Sequence, residues 1–303
     1  MKIAFFSETG MNQKYPRNFP NARTEVAWCL ALDAPMCALD ALPKEDFDLG
    51  IVIIPKNEPK VSLDFIRKCC DKVAVMQEGP HWYFQDYDIG NQFHYYNSLM
   101  DADWVYCHNE SDVKYYMGLG CKDVRVMRSL MITDGLVPRN EWTDATIIGG
   151  NFVSWYGGFD SYMVAREIGD PISAPSMGRK QPQEDAIQDI SYMAYMNWRE
   201  WITALSQFNI GVHLMRTHAA GTFAMNCAWH GIPSIGYKGL DTQQLCHPLT
   251  TVDVGDLDQA VEIGKRLKSN EEFYKLCSET AQRRFQKHYT EEAWLKKWRI
   301  THE

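Results

Sequence analysis

Several patterns that mark well-known protein classes are missing from this 303-residue sequence. Its nine cysteines are scattered, with no CxxC pair and no Cys/His spacing typical of a metal site. An odd number of cysteines without a framework spacing indicates reduced thiols, and therefore a cytoplasmic protein. The apolar runs are too short for a signal peptide or a membrane span, so we expect neither.

Motifs of several enzyme classes are also absent from the sequence. There is no Walker loop and no GxGxxG after the first expected strand, which disfavours nucleotide hydrolysis and dinucleotide-dependent redox chemistry. No nucleophile elbow or Ser/His/Asp pattern is present. The net charge of −8 argues against a broad nucleic-acid or membrane surface, although a local basic groove remains compatible with it.

What the sequence does contain is an alternation of apolar strands and helices. The first half has five expected strands, at Lys2–Phe6, Leu49–Pro55, Lys72–Gln77, Trp104–Cys107 and Val124–Met127. Continuous apolar strands separated by helices are typical of a parallel sheet that is covered on both faces. The first half is therefore predicted to be one Rossmann-like domain.

The alternation restarts after a polar linker at Leu136–Asp144. The second half has expected strands at Ala145–Ile148, Pro171–Ala174, Ile210–Leu214, after Pro233, and at Thr250–Val252. We predict an α/β protein made of two tandem Rossmann-like domains facing each other across a cleft, with residues 1–140 as the first domain and 141–289 as the second. The C-terminal helix, residues 290–303, is expected to pack back on the first domain.

The most informative segment is Gly221–Gly236, which follows the expected strand Ile210–Leu214. A short polar turn opens an apolar helix, Phe223–His230, and Gly231 with Pro233 ends it before another strand. The first turn of this helix is therefore expected at the carboxyl end of a strand. Open α/β sheets bind ligands there, and the N–H groups of a helix N-terminus favour phosphate.

The second half resembles the nucleotide-sugar domain of GT-B glycosyltransferases. The resemblance is carried by Gly149-Gly150, by Gly221 with Ala228–Pro233, by Gln243–Leu245 with Pro248, and by Asp256 with Thr290. Residues 147–170 are also similar to a segment of bacteriophage DNA β-glucosyltransferase, whose strand-end catalytic carboxylate corresponds in place to the region of Glu78.

This resemblance implies a hexosyltransferase that moves a sugar from a nucleoside-diphosphate sugar, here expected to be a UDP-sugar, to an acceptor hydroxyl. GT-B members typically work without a metal ion, so we expect no metal and no further cofactor. The acceptor stays open between a glycan, a small molecule and a modified DNA base. The last would place the protein in the cytoplasm of a phage host. The oligomeric state is left open.

The donor-binding residues expected from the resemblance and from the helix N-terminus are glycines, basic side chains and polar groups beside the phosphate turn. They are Gly150, Asn151, Arg179, Lys180, Arg216, His218, Gly221, Thr222 and Asn226. Guanidinium and ammonium groups suit phosphate oxygens, but the same residues are compatible with solvated surface charge. Asn226 stands where the family usually has a Glu that binds the ribose hydroxyls. This departure weakens the prediction of donor affinity and of donor identity.

Glu78 is the expected catalytic base, because it directly follows the expected strand Lys72–Gln77 on the acceptor half. His81 is the second candidate. A structural role for Glu78, in a helix cap or a salt bridge, is an equally good interpretation. Expected acceptor-binding residues are Glu8, Gly10, Arg23 and Trp82. Two alternatives to a transferase stay open: a non-catalytic nucleotide-sugar-binding protein, which Asn226 favours, and an epimerase or phosphorylase on the same fold.

Overall fold

The computed structural model describes residues 1–55, 59–80, 82–139, 141, 143–150, 152, 155–175 and 182–303. The chain divides into two compact units. Unit 1 comprises Met1–Ile132, His218–Ala220 and Trp294–Glu303, and unit 2 comprises Thr133–Thr217 and Gly221–Ala293. The domain division at residue 140 that the sequence suggests stays a prediction.

Among its described residues, unit 1 has six strands and, besides the C-terminal helix, four helices. Its strands are β1 Ile3–Ser7, β2 Met36–Ala38, β3 Phe47–Ile53, β4 Cys70–Met76, β5 Trp104–Cys107 and β6 Val124–Val126. Its helices are α1 Glu25–Ala31, α2 Leu63–Ile66, α3 Ile89–Asp101 and α4 Val113–Gly118, with 3-10 turns at Tyr83–Asp86 and Glu110–Asp112.

The sheet of unit 1 is parallel, with the strand order β2-β1-β3-β4-β5-β6. This order reverses between β1 and β3, and ligands of open α/β sheets bind outside the carboxyl ends of strands at such a reversal. The strand β4 lies one position further along. The residues that follow β1 and β4 therefore share one edge of the sheet, about 10 Å apart by strand spacing.

The described part of unit 2 contains six strands and six helices. The strands are β7 Thr146–Ile148, β8 Ile172–Pro175, β9 Ile190–Met193, β10 Ile210–His213, β11 Ser234–Tyr237 and β12 Thr251–Val252. The helices are α5 Gly158–Ile168, α6 Trp198–Leu205, α7 Thr222–His230, α8 Asp241–Cys246, α9 Leu257–Ser269 and α10 Glu271–His288, with a 3-10 turn at Pro182–Ala186.

The sheet of unit 2 is also parallel, with the strand order β12-β11-β10-β7-β8-β9. Counted from β7, this is the 3-2-1-4-5-6 order of dinucleotide-binding folds, and it reverses between β7 and β10. The prediction of two Rossmann-like α/β halves is confirmed by these two sheets.

Three elements differ from the sequence-based expectation. The strands β2 and β9 were not predicted, and both are short strands at the edge of a sheet. The helical spacing of Leu63, Ile66 and Cys70 predicts a helix over residues 62–70, but the helix ends at Ile66 and Cys70 begins β4 instead. The Ser62 hydroxyl accepts a hydrogen bond from the Phe65 N–H at 3.2 Å and caps this short helix. Short segments of this kind follow tertiary packing more than local propensity.

The C-terminal helix, α11 Glu291–His302, contributes an aromatic face to unit 1 from Trp294 onward. Trp294 and Trp298 are one helical turn apart and stack with ring centroids 5.3 Å apart. Trp28 of α1 packs on Trp294 at 5.1 Å, and Trp294 donates a hydrogen bond through Nε1 to the Arg128 carbonyl at 2.8 Å. All three indoles are buried, so α11 is part of the core of unit 1.

Replacing Trp294 should therefore destabilise unit 1. We expect Trp294→Ala to lower the free energy of unfolding by about 3–5 kcal/mol, because it empties a buried aromatic site and leaves the Arg128 carbonyl without its donor. Calorimetric unfolding measures the effect as a lower melting temperature. The matched control is Ile300→Ala on the exposed side of the same helix, which should change stability by less than about 0.5 kcal/mol. Equal melting temperatures for the two variants would contradict the role of Trp294.

Candidate functional site

The helix α7 begins at a glycine in the left-handed backbone conformation, which residues with a side chain rarely adopt. Gly221 has φ +63°, and a Cβ added to it would lie 2.4 Å from the Thr242 hydroxyl, which donates a hydrogen bond to the Gly221 carbonyl at 2.8 Å. Within the described ranges, no side chain forms a capping hydrogen bond at the N-terminus of α7. Its first N–H groups consequently remain available to a ligand, and Gly221 and Thr222 are partly exposed.

The strand reversal of unit 2 is packed around two glycines that follow β7. A Cβ on Gly149 would lie 2.6 Å from Cγ of His213, at the end of β10, and 2.8 Å from Cδ1 of Phe223 in α7. A Cβ on Gly150 would lie 2.8 Å from Cβ of Tyr156 and 3.3 Å from Nε2 of His213. Internal packing therefore already requires both glycines, whether or not a phosphate approaches them.

His213 is a residue that the sequence reasoning missed. The residue is 7% exposed, and its ring meets Phe223 edge to face at 5.1 Å. Burial lowers its pKa to about 4, with a smaller opposing effect from the nearby Tyr156 backbone. Its Nε2 atom has no hydrogen bond of normal geometry to the described residues. Its sequence signal was slight: a polar residue that ends an otherwise apolar strand just before the candidate phosphate turn.

Arg216 lies on the surface of unit 2 just beyond β10, with 61% of its side chain exposed. It donates a hydrogen bond to the Asp160 carboxylate in the first turn of α5 at 2.9 Å. Tyr237 donates to the same oxygen at 3.0 Å, and burial together with Asp160 raises the Tyr237 pKa to about 12. The carboxylate thus orients one edge of the guanidinium, and most of the Arg216 side chain stays in contact with solvent.

Asn226 lies inside α7 and is 2% exposed. Its Oδ1 atom has no hydrogen-bond partner among the described residues. A buried amide oxygen without a partner is costly, which makes this position an exception that asks for a reason. A ligand hydroxyl that reaches Oδ1 would supply the missing donor.

The expected acceptor residues all belong to unit 1. Glu8 and Gly10 follow β1, and Glu8 is exposed. Gly10 passes so close to β2 that a Cβ would lie 1.9 Å from the Cys37 carbonyl oxygen. Arg23 is exposed and precedes α1, and Trp82 is half-buried at the start of the turn Tyr83–Asp86.

Glu78 follows β4 and is half-buried. Its negative charge is one of the causes, after burial and Tyr83, that raise the pKa of Tyr87 to about 12. Glu78 and Glu8 therefore belong to the same edge of the sheet, with β3 between their strands. The sequence-derived residues His81, Asn151, Arg179 and Lys180 lie outside the described residues.

His218 was expected beside the donor, and the structure places it in unit 1. Its Nδ1 atom lies 3.2 Å from Oδ1 of Asp112 and 3.0 Å from the Ser111 hydroxyl. Asp112 is fully buried, and the sequence reasoning missed it because nothing local links residues 106 positions apart. Among the described residues, no group of three His, Cys, Asp or Glu side chains is arranged to hold a metal ion.

Three buried histidines of unit 2 make stability pH-dependent. Burial is the main cause that lowers the pKa of His213, His230 and His247 to about 4 each. In the unfolded chain these histidines become protonated near pH 6.5. In the folded protein they become protonated only near pH 4. Stability should therefore fall as the pH drops between these two values, by up to about 1.4 kcal/mol per pH unit and histidine.

Replacing one of these histidines should flatten the pH dependence. His213→Phe keeps an aromatic ring on Phe223 and removes the titrating group. Urea midpoints at pH 7, 6 and 5 should fall less steeply for this variant than for the wild type. Parallel slopes would show that His213 is not neutral and buried in solution.

Comparison with known proteins gives likeness in structure only. No protein-family model matches this sequence, and no curated protein matches it. Sucrose-phosphate synthase from Thermosynechococcus elongatus superposes with a TM-score of 0.69 at 12% identity, over 99% of this chain and 98% of that one. An α-glucosyltransferase solved with UDP gives 0.66 at 12% identity, over the full length of both chains.

Two further matches support the same fold. HepE of Anabaena, solved with UDP and glucose, gives a TM-score of 0.64 at 9% identity over 99% of each chain. S. aureus TarM gives 0.64 at 10% identity, and the chain spans only 55% of TarM's length. The fold of this chain is that of the GT-B glycosyltransferases. In the part of the chain that the structure describes, no helix is both long and apolar enough to cross a bilayer.

Proposed function

We propose that the protein is a glycosyltransferase that moves a sugar from a UDP-sugar to an acceptor hydroxyl. The observation that carries this proposal is the strand reversal of unit 2, where the loop after β7 and the uncapped N-terminus of α7 follow neighbouring strands. A diphosphate bound there would accept hydrogen bonds from backbone N–H groups and gain from the helix dipole. Structures with this fold have been solved with UDP bound.

The donor subsite that we propose is built on unit 2. Gly150, Gly221 and Thr222 would present backbone to the diphosphate, and the exposed part of Arg216 would pair with its charge. The buried Oδ1 of Asn226 would accept from a ribose hydroxyl in place of a carboxylate. Asn151, Arg179, Lys180 and His218 complete the proposed donor set on the strength of the family resemblance.

Glu78 is the proposed catalytic base, with His81 as the second candidate. The half-buried carboxylate of Glu78 at the carboxyl end of β4 would take the proton of the acceptor hydroxyl as that oxygen attacks the sugar. Glu8, Gly10, Arg23 and Trp82 would bind the acceptor along the same edge. The proposal includes no metal ion and no further cofactor, as the family resemblance implies.

A modified DNA base is a second candidate for the acceptor, alongside a glycan or a small molecule. One matched α-glucosyltransferase was solved with UDP and a 13-mer DNA containing a HMU base, at 12% identity to this chain. The net charge of −8 stands against a broad DNA-binding surface. Transfer to a hydroxymethylated oligonucleotide, compared with transfer to simple glycosides, decides between these acceptors.

We also propose a cytoplasmic location. All nine cysteines lie among the described residues, where they are buried and form no disulfide bond, as expected in a reducing compartment. The alternative functions are a non-catalytic nucleotide-sugar-binding protein and an epimerase on the same frame. Binding of UDP without release of sugar from any of the UDP-, GDP- or ADP-sugars would favour the first.

Replacing Glu78 should separate catalysis from binding. We expect Glu78→Gln to reduce sugar transfer by about 10²- to 10⁴-fold, since the amide cannot accept the proton, and to leave UDP affinity unchanged. Initial rates of UDP release and titration calorimetry with UDP measure the two quantities. The control is Glu45→Gln, a surface carboxylate that pairs with Lys2 at the opposite edge of the sheet.

The stereochemistry of the product gives an independent check on Glu78. A base that assists direct in-line attack on an α-linked donor leads to a β-linked product, which the anomeric proton coupling in NMR reports. Retention of the α configuration would remove the base role from Glu78 and leave the transferase proposal intact. Full activity of Glu78→Gln would do the same.

A further inference from the structure

Two buried side chains, one at the start of α8 and one directly after it, hold the first turn of α7 by its carbonyl groups. The Thr242 hydroxyl donates a hydrogen bond to the Gly221 carbonyl at 2.8 Å, and Nε2 of His247 lies 2.9 Å from the Ala224 carbonyl. All four residues belong to unit 2. The start of α7 is therefore attached to the α8 segment at two points.

The neighbours of His247 determine which ring nitrogen carries the proton. The backbone N–H of Ser234, the first residue of β11, donates to Nδ1 at 3.3 Å. A nitrogen that accepts a hydrogen bond has no proton, so in the neutral ring Nε2 is protonated and donates to the Ala224 carbonyl. Burial keeps the ring neutral by lowering the His247 pKa to about 4. His247 is thus a fixed bridge between β11 and α7.

The carbonyl that Thr242 contacts belongs to the same peptide group as the N–H of Thr222. That N–H is one of the first groups of α7, which have no partner within the helix. A hydrogen bond to the carbonyl of a peptide group polarises the group and makes its N–H a stronger donor. The Thr242 hydroxyl also limits where this peptide can lie, because a Cβ on Gly221 would be 2.4 Å from it.

We infer that Thr242 and His247 are positioning residues for the diphosphate of the nucleotide sugar, because they hold the first-turn peptides of α7 whose N–H groups would bind that anion. This inference rests on the proposed function, which places the diphosphate at this turn. Thr242 and His247 are each 3% exposed, so they act through the backbone, whereas Gly221 and Thr222 are partly exposed. The effect should therefore be confined to ligands that carry a diphosphate.

Thr242→Ala and Thr242→Ser differ only in the hydroxyl, so their comparison separates the hydrogen bond from packing. We expect Thr242→Ala to weaken the binding of UDP and of inorganic pyrophosphate by about three- to tenfold, the effect of one hydrogen bond beside a charged ligand. Thr242→Ser should bind both anions within about twofold of the wild type. Uridine, which lacks the diphosphate, should bind equally to all three proteins. Titration calorimetry measures the two anions, and saturation-transfer NMR measures uridine.

His247→Gln and His247→Asn test the second contact. The amide of Gln reaches the position of Nε2 and can donate to the Ala224 carbonyl, whereas that of Asn reaches only the position of Nδ1. We expect His247→Asn to weaken pyrophosphate binding by about threefold and His247→Gln to recover most of that loss. Melting temperatures identify a variant that fails to fold, and the Thr242 variants test the inference independently of it.

Thr250→Ala is the matched control. The Thr250 hydroxyl is equally buried in the same region, but it donates to the Ser234 carbonyl and makes no hydrogen bond to α7 among the described residues. Thr250→Ala should lower the melting temperature and keep the wild-type affinity for UDP and pyrophosphate.

Three results would overturn the inference: wild-type affinity for both anions in Thr242→Ala, an equal loss in Thr250→Ala, or a loss for uridine as large as that for UDP. The proposed function fails separately. A wild type that binds pyrophosphate in a Thr242-dependent way but binds no UDP would contradict the proposed function and support the role of Thr242 at an anion site. A wild type that binds neither ligand would contradict both.

Discussion

Close packing at the strand reversal of unit 2 constrains every other part of the candidate donor site. His213 and Phe223 occupy the space that a side chain at position 149 would need, so only glycine fits directly after β7. This contact sets the separation between the loop after β7 and the first turn of α7. Gly221 then sets the direction of α7, through a left-handed backbone that Thr242 crowds. The N–H groups that we assign to a diphosphate depend on both contacts.

Unit 1 is subject to a different constraint, since its sheet has an apolar core and yet carries buried polar side chains at its edge. The buried Asp112 carboxylate gathers donors from Gln77, Asn109 and His218, and in this way one charge orders side chains from three separate segments. A buried charge is tolerated only where its acceptor sites are filled. The same network holds His218 to unit 1, through its ring at Asp112 and through its carbonyl at Gln77.

Much of the fold followed from local patterns. Long apolar segments such as the predicted strand Leu49–Pro55, and helix endings such as Gly231 with Pro233, carry their signal within a few residues. These local signals were enough to predict the α/β class and the turn before α7. The edge strands β2 and β9 were not predicted, because three or four residues are too few to show a hydrophobic periodicity. Among site residues, Gly221 was recognisable from its place between a strand and a helix, whereas Asp112 and Asp160 were not, since their partners are distant in sequence.

The sequence alone determined the alternation of strands and helices, the restart of that pattern after residue 140, and the glycine that opens α7, because each of these is a property of neighbouring residues. Tertiary structure decided the strand order, and with it which strand ends stand side by side at β7 and β10. It also decided that His218, encoded next to α7, is held by the polar side chains of unit 1. Pairing over such separations depends on the packing of whole sheets, which no local window of sequence contains.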